Sequence, residues 1–123
     1  MKKLFWVASF HLFFILAGAQ PESDSAFIVD NFIKVEQMIP MRDGVRLFTS
    51  IYMPRDRNEK YPFLIERTPY SCAPYGEKMR TRGLGPNSGL LHEKYIFVYQ
   101  DVRGRYRSEG NFEEMTPARD VKK

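Results

Sequence analysis

Apolar and polar residues nearly alternate from Phe32 to Met41. They alternate again from Val45 to Met53, with Val45, Leu47, Thr49, Ile51 and Met53 on one side. A period of two marks a half-buried strand. Between the runs lies Met41-Arg42-Asp43-Gly44. An Asp-Gly pair in that position predicts an antiparallel β-hairpin closed by a type I′ turn, which needs positive φ at both central residues. Pro54 ends the second strand, and Arg55 to Lys60 is a charged loop. Tyr61 to Arg67 predicts a third strand around Pro62-Phe63-Leu64-Ile65, with the proline near the start, where a missing N–H is tolerated. Thr68-Pro69-Tyr70 breaks it. Gly76 to Arg82 reads as one or two helical turns, Ser88 to Lys94 as a short helix, and Tyr95 to Val102 as a strand. Arg103 to Gly110 is a glycine-punctuated loop. A hairpin, then strand, short helix and strand, predicts the α/β class, with a mixed sheet that begins antiparallel and turns parallel. There is too little helix to cover such a sheet, so bare faces or edges are expected.

The first residues carry a different pattern. Lys2 and Lys3 precede Leu4 to Leu16, apolar apart from Ser9 and His11, and Ala17-Gly18-Ala19 follows. This three-part order predicts a cleavable export signal over residues 1–19. A retained anchor is the competing reading, but the apolar run falls short of the ~20 residues a transmembrane helix needs. Residues 20–31 are polar and mixed, and read as a mobile entry segment. Export places the product outside the cytoplasm, secreted or periplasmic, with no membrane attachment after cleavage. Loss of Lys2 and Lys3 from 19 basic residues, against 15 acidic ones, lowers the formal charge from +4 to +2. That small excess argues against nucleic acid as a partner, which calls for a concentrated basic face. A single cysteine, Cys72, excludes an internal disulfide. A small exported domain without such staples points to a core completed by further chain.

Candidate chemistry is sparse. His92 is the one histidine beyond the signal; beside Glu93 and Lys94 on a short helix, it reads as a surface residue rather than a catalytic base. No serine stands in G-x-S-x-G. The nearest imitation, Tyr106-Arg107-Ser108-Glu109-Gly110, puts a bulky tyrosine where the strained elbow needs a small residue, so Ser108 reads as a loop serine. Cys72 and His92 lack partners at metal-ligand spacing. Asp101, Glu109, Glu113 and Glu114 match no calcium-loop pattern. Neither a metal nor a cofactor is expected. Arg67-Thr68-Pro69-Tyr70 remains, directly after the third strand, where an oxyanion loop would sit in an α/β-hydrolase. A tyrosine hydroxyl can donate to a developing oxyanion, and Pro69 restricts its own φ and the residue before it. A packed aromatic is the plainer account of the same residue.

Three segments in order resemble one family. They are Met41-Arg42-Asp43-Gly44-Val45-Arg46-Leu47, Pro62 to Tyr70, and Gln100-Asp101-Val102-Arg103-Gly104-Arg105-Tyr106-Arg107-Ser108-Glu109-Gly110. Together they resemble the opening of Xaa-Pro dipeptidyl-peptidase-like hydrolases, a group with cocaine esterase-like enzymes, α-amino acid ester hydrolases and glutaryl-cephalosporanic acid acylases. The resemblance covers about residues 33–123. It implies that residues 32–123 are the N-terminal, incomplete part of an α/β-hydrolase domain. It also implies a helical cap, a C-terminal β-sandwich, and a Ser-Asp-His triad with its serine in G-x-S-Y-x-G. The implied reaction is acyl transfer to water from a small ester, amide or short peptide. Tyr70 matches the tyrosine that donates to the oxyanion in such enzymes. The triad has no match in this chain, so the 123 residues alone are expected to be inactive. Asp101 and Arg103 match a recurrent D-V-R-G motif with a structural reading, in which Arg103 pairs with Asp101 or another carboxylate. Ser71-Cys72 follows the tyrosine without a carboxylate, which leaves α-amino selectivity unsupported there. The alternative is a non-catalytic secreted β-rich binding module.

N-terminal sequencing of the protein recovered from outside the cytoplasm is expected to begin at Gln20. A product that still carries Met1 would contradict the cleavage.

Overall fold

The computed structural model describes residues 23–114. The expected export signal therefore lies outside the described residues. Helix α1 (Asp24–Asn31) leads into strands β1 (Phe32–Pro40), β2 (Arg46–Pro54) and β3 (Phe63–Thr68). Helix α2 (Ser88–His92) and strand β4 (Ile96–Asp101) follow. The four strands form one sheet in the order β1-β2-β4-β3. β1 and β4 both run antiparallel to β2, and β3 runs parallel to β4. The mixed α/β sheet read from the sequence is thus present.

The hairpin joins β1 to β2 with Pro40 opposite Arg46. Its turn differs from the type I′ expectation. Gly44 N–H donates to Met41 O at 3.0 Å, and Met41 N–H to Val45 O at 2.8 Å. Gly44 alone in the turn takes positive φ, at +83°. This is a three-residue loop, a type I turn followed by a left-handed glycine. Asp43 stays outside the left-handed region because its Oδ1 accepts from Val45 N–H at 3.2 Å, a short local turn of its own.

β2 is buried on both faces: Leu47, Phe48, Thr49 and Ser50 are all inaccessible in succession. On one face Phe32, Tyr52 and Phe97 meet Ile28, Leu84 and Leu91 to form the core. Tyr52 sits directly opposite Phe97, and the Phe32 and Phe97 rings lie 6.2 Å apart. Burying each such side chain stabilises the fold by about 1.5–3 kcal/mol. The other face carries Val35, Ile51, Val98 and Ile65, half-buried or exposed. β3 is an open edge, with Phe63 66% and Ile65 51% exposed. Among the described residues nothing covers that edge, as the shortage of helix predicts.

Two further expectations need correction. Residues 24–31, read as part of a mobile segment, form α1. Ser23 caps it by accepting from Ala26 N–H, Asp24 sits in its first turn, and Ile28 is buried. Its apolar residues are consecutive, so no helical period was visible. Gly76 to Arg82 is a turn, not a helix. The backbone of Gly76 is taken by side chains of β1, with Lys34 Nζ on its carbonyl and Glu36 Oε1 on its N–H.

Gly44 and Gly104 make contrasting demands. Gly44 has open space around it, whereas a Cβ at Gly104 (φ +69°) would overlap the backbone of Asn111 and Phe112. Gly44→Ala is expected to cost about 1–2 kcal/mol, the left-handed penalty alone. Gly104→Ala should cost clearly more or prevent folding. Urea midpoints measure both, and equal losses would contradict the packing described for the loop after β4.

Candidate functional site

β3 and β4 run parallel, so their C-terminal ends, Thr68 and Asp101, lie side by side. Pro69 and Tyr70 leave the sheet there. Thr68 Oγ1 accepts the Tyr70 N–H at 3.1 Å, a short turn that fixes the first step out of the strand. The Tyr70 side chain is 83% exposed. Ser71 follows at φ +82°, a left-handed value that strains any residue but glycine. Beside the loop opens a groove of about 670 Å³, bordered by Val45, Pro69, Val102, Arg103 and Phe112.

Beneath the loop sits Asp101, fully buried. Its Oδ1 accepts from Cys72 N–H at 2.9 Å. Its Oδ2 accepts from Tyr75 Oη at 3.0 Å and from Arg107 N–H at 3.3 Å. Ser108 Oγ donates to the Asp101 carbonyl at 2.6 Å and accepts from Phe48 N–H at 2.9 Å. Burial of a carboxylate is tolerated when several donors meet it. Tyr75 Oη also lies 2.9 Å from Ser71 Oγ, and Ser71 Oγ accepts from Ala73 N–H at 3.1 Å. The tyrosine proton is committed to Asp101, so the Ser71 hydroxyl is the donor between the two. The chain of donors runs one way, from Ala73 through Ser71 and Tyr75 to Asp101.

The far end of the loop is held from β1. Lys34 Nζ, buried, donates to the carbonyls of Pro74 and Gly76 and pairs with Glu36 at 2.8 Å. Glu36 in turn accepts the Gly76 N–H at 2.5 Å. The Arg107 guanidinium lies over the Tyr75 ring at 4.4 Å.

Burial shifts two groups here. It pushes the Cys72 thiol up to about 12, helped by the hydrogen bond and charge of Asp101. It also raises the Tyr75 hydroxyl to about 12, with Ser71 opposing the rise and Asp101 adding to it. Cys72 is therefore a protonated, unreactive thiol at neutral pH.

The other candidates lie apart or are occupied. His92 packs against Phe27 with ring centroids 4.2 Å apart and faces Asp24 at 3.4 Å. α2 feeds the N-terminal end of β4, so His92 is separated from Tyr70 by the length of a six-residue strand, about 20 Å. Ser108 spends its hydroxyl on two backbone partners, a structural role. Arg103 pairs with Asp43 at 2.8 Å rather than with Asp101, tying the loop after β4 to the hairpin turn. Among the described residues no group of three or more His, Cys, Asp or Glu side chains gathers at metal-binding distance. Sequence reasoning missed Ser71, Tyr75, Lys34 and Glu36. Lys34 and Glu36 did carry a signal: both fall on the strand parity of buried Phe32, where charge is out of place.

Comparison with known proteins bears on the family and the fold. The family model for X-Pro dipeptidyl-peptidase (S15 family) matches residues 43–122. The cocaine esterase of Rhodococcus sp. (strain MB1 Bresler) is 37% identical over 79 residues, which cover 61% of this chain and 12% of that protein. A selenomethionine-labelled α-amino acid ester hydrolase superposes with a TM-score of 0.58 at 32% identity, over 85% of this chain and 17% of that one. An aminopeptidase from a marine sediment archaeon, Thaumarchaeota archaeon, superposes with a TM-score of 0.59 at 33% identity, over 81% and 16%. The chain thus spans under a fifth of the length of each of these relatives.

The raised thiol makes stability depend on pH. Above its ordinary value of 9.0 the unfolded chain loses the Cys72 proton, while the fold keeps it up to about 12. The unfolded state then binds fewer protons, so stability falls as pH rises from 9. Tyr75 adds a loss of the same sign above 10. Urea midpoints are expected to drop between pH 8 and 10, and Cys72→Ala should flatten that drop. An identical slope in the variant would place the titrating group elsewhere.

Proposed function

The chain belongs to the X-Pro dipeptidyl-peptidase (S15) family, and we propose that it forms the oxyanion side of a serine hydrolase of esters or amides. Tyr70 is its side-chain oxyanion donor, and the Ser, Asp and His of the triad come from residues outside these 123. The observation that carries this reading is the setting of Tyr70, exposed at the C-terminal ends of a parallel strand pair on a loop pinned from both sides. Relatives that are an esterase, an ester hydrolase and an aminopeptidase support hydrolysis as the reaction class.

The chemistry follows from that placement. A serine oxygen bonds to the ester or amide carbonyl carbon while a histidine takes the serine proton. The carbonyl oxygen gains negative charge as its π bond opens. Tyr70 Oη–H donates to that oxygen, and the N–H after the nucleophile is the second donor. Collapse of the intermediate expels an alcohol or amine, which receives the histidine proton. Water then releases the acid by the reverse arrangement. The substrate class is a small ester, an amide or a short peptide. Export to the periplasm or beyond belongs to the same proposal, supported by the basic, apolar and small-residue order of residues 1–19.

Tyr70→Phe keeps the ring and removes only the donor. In the product of the complete reading frame that contains this chain, kcat for a p-nitrophenyl ester should fall by ~10²–10³ with KM nearly unchanged. An unaltered kcat would remove Tyr70 from the oxyanion role.

A further inference from the structure

Ser71 is the residue that turns the chain immediately after Tyr70, and it does so at φ +82°. A serine in that region sits about 1–2 kcal/mol above its relaxed conformations. Something must hold it there. Among the described residues its hydroxyl ties it locally, accepting from Ala73 N–H and donating to Tyr75 Oη. Tyr75 is fixed in turn by Asp101 below and by the Arg107 guanidinium above. Asp101 is itself anchored, fully buried at the end of β4 and accepting from Cys72 N–H and Arg107 N–H as well.

We infer that Asp101 and Tyr75 are positioning residues for Tyr70, acting through the Ser71 hydroxyl to keep Ser71 left-handed and the Tyr70 side chain aimed. Neither touches substrate. An ionised carboxylate accepts only, so it orients the Tyr75 proton downwards. That leaves the Tyr75 oxygen as an acceptor for Ser71. Cys72 shares Asp101 with that relay, since its N–H donates to Oδ1 at 2.9 Å, and it is buried beside the carboxylate. Cys72 exposure therefore reports on the relay independently of catalysis. The inference rests on the proposed oxyanion role of Tyr70 for its kinetic consequence, but not for its structural one.

The test uses the product of the complete reading frame. Tyr75→Phe removes one hydroxyl and keeps the ring. It is expected to speed alkylation of Cys72 by iodoacetamide, read by peptide mass spectrometry. It should also lower kcat for a p-nitrophenyl ester by about tenfold to 10²-fold, with KM little changed, as expected for a misplaced group. Ser71→Gly in the same background should restore both, because glycine takes φ +82° without a tether. A merely structural tyrosine would not be rescued by that glycine. Asp101→Asn leaves one acceptor oxygen for donors on both sides, so either Tyr75 Oη–H or Cys72 N–H loses its partner, and alkylation of Cys72 should speed up in either orientation. The inference is overturned if Tyr75→Phe changes neither alkylation nor kcat, or if Ser71→Gly rescues neither. Should Tyr70→Phe leave kcat intact while the alkylation pattern holds, the oxyanion reading fails and the relay stands.

Discussion

A buried carboxylate that forms no ion pair among the described residues must collect donors, and Asp101 collects them from both segments that leave the sheet. Cys72 N–H and the Tyr75 hydroxyl come from the segment after β3, and Arg107 N–H comes from the segment after β4. Each hydrogen bond to a charged acceptor contributes about 1.5–3 kcal/mol, and leaving one unmade costs more than never having had it. The parallel pairing of β3 and β4 makes this possible. It brings Thr68 level with Asp101, so that the chain emerging from β3 passes directly over the carboxylate. The loop that carries Tyr70 is thus shaped by an electrostatic requirement of the neighbouring strand.

The second anchor works on different terms. Lys34 is a charged residue on the strand face that also buries Phe32 and Tyr52, and its burial is made tolerable by Glu36 and two loop carbonyls. A buried pair of this kind adds little net stability against apolar substitutes, yet breaking it by removal of one partner is severe. Its effect is to fix where the loop ends. Between Asp101 and Lys34 the eight residues from Pro69 to Gly76 have both ends specified, and the strain at Ser71 is contained between them. Strain of that kind clusters at active sites and ligand clamps, and here it lies directly after an exposed tyrosine.

Much of this frame is legible in the sequence because it follows periods. Alternation over Phe32 to Met41 and Val45 to Met53 marks the hairpin, and the apolar runs mark β3 and β4 to within two residues. The family motifs then mark Tyr70 by its place after the third strand. Other features follow no period. α1 depends on a capping serine and one buried isoleucine, signals too short to separate from a polar tail. The turn at Asp43-Gly44 depends on whether aspartate uses its side chain or its own left-handed conformation, and the two choices share one dipeptide. Tyr75 and Ser71 form a site through contacts across 26 and four positions of sequence, respectively. The pairing of Arg103 with Asp43 spans the hairpin and the loop after β4 in the same way. Contacts of that kind are set by the sheet order, which local patterns do not specify.

The most direct measurement is a crystal structure of the complete reading-frame product after reaction with an alkyl fluorophosphonate, whose serine adduct mimics the tetrahedral oxyanion. The expected result is a phosphonate on a serine outside residues 1–123, with its oxygen about 2.7–3.1 Å from Tyr70 Oη. A phosphonate on a serine within these 123 residues would contradict the account. So would an adduct oxygen held by other donors with the Tyr70 hydroxyl turned away.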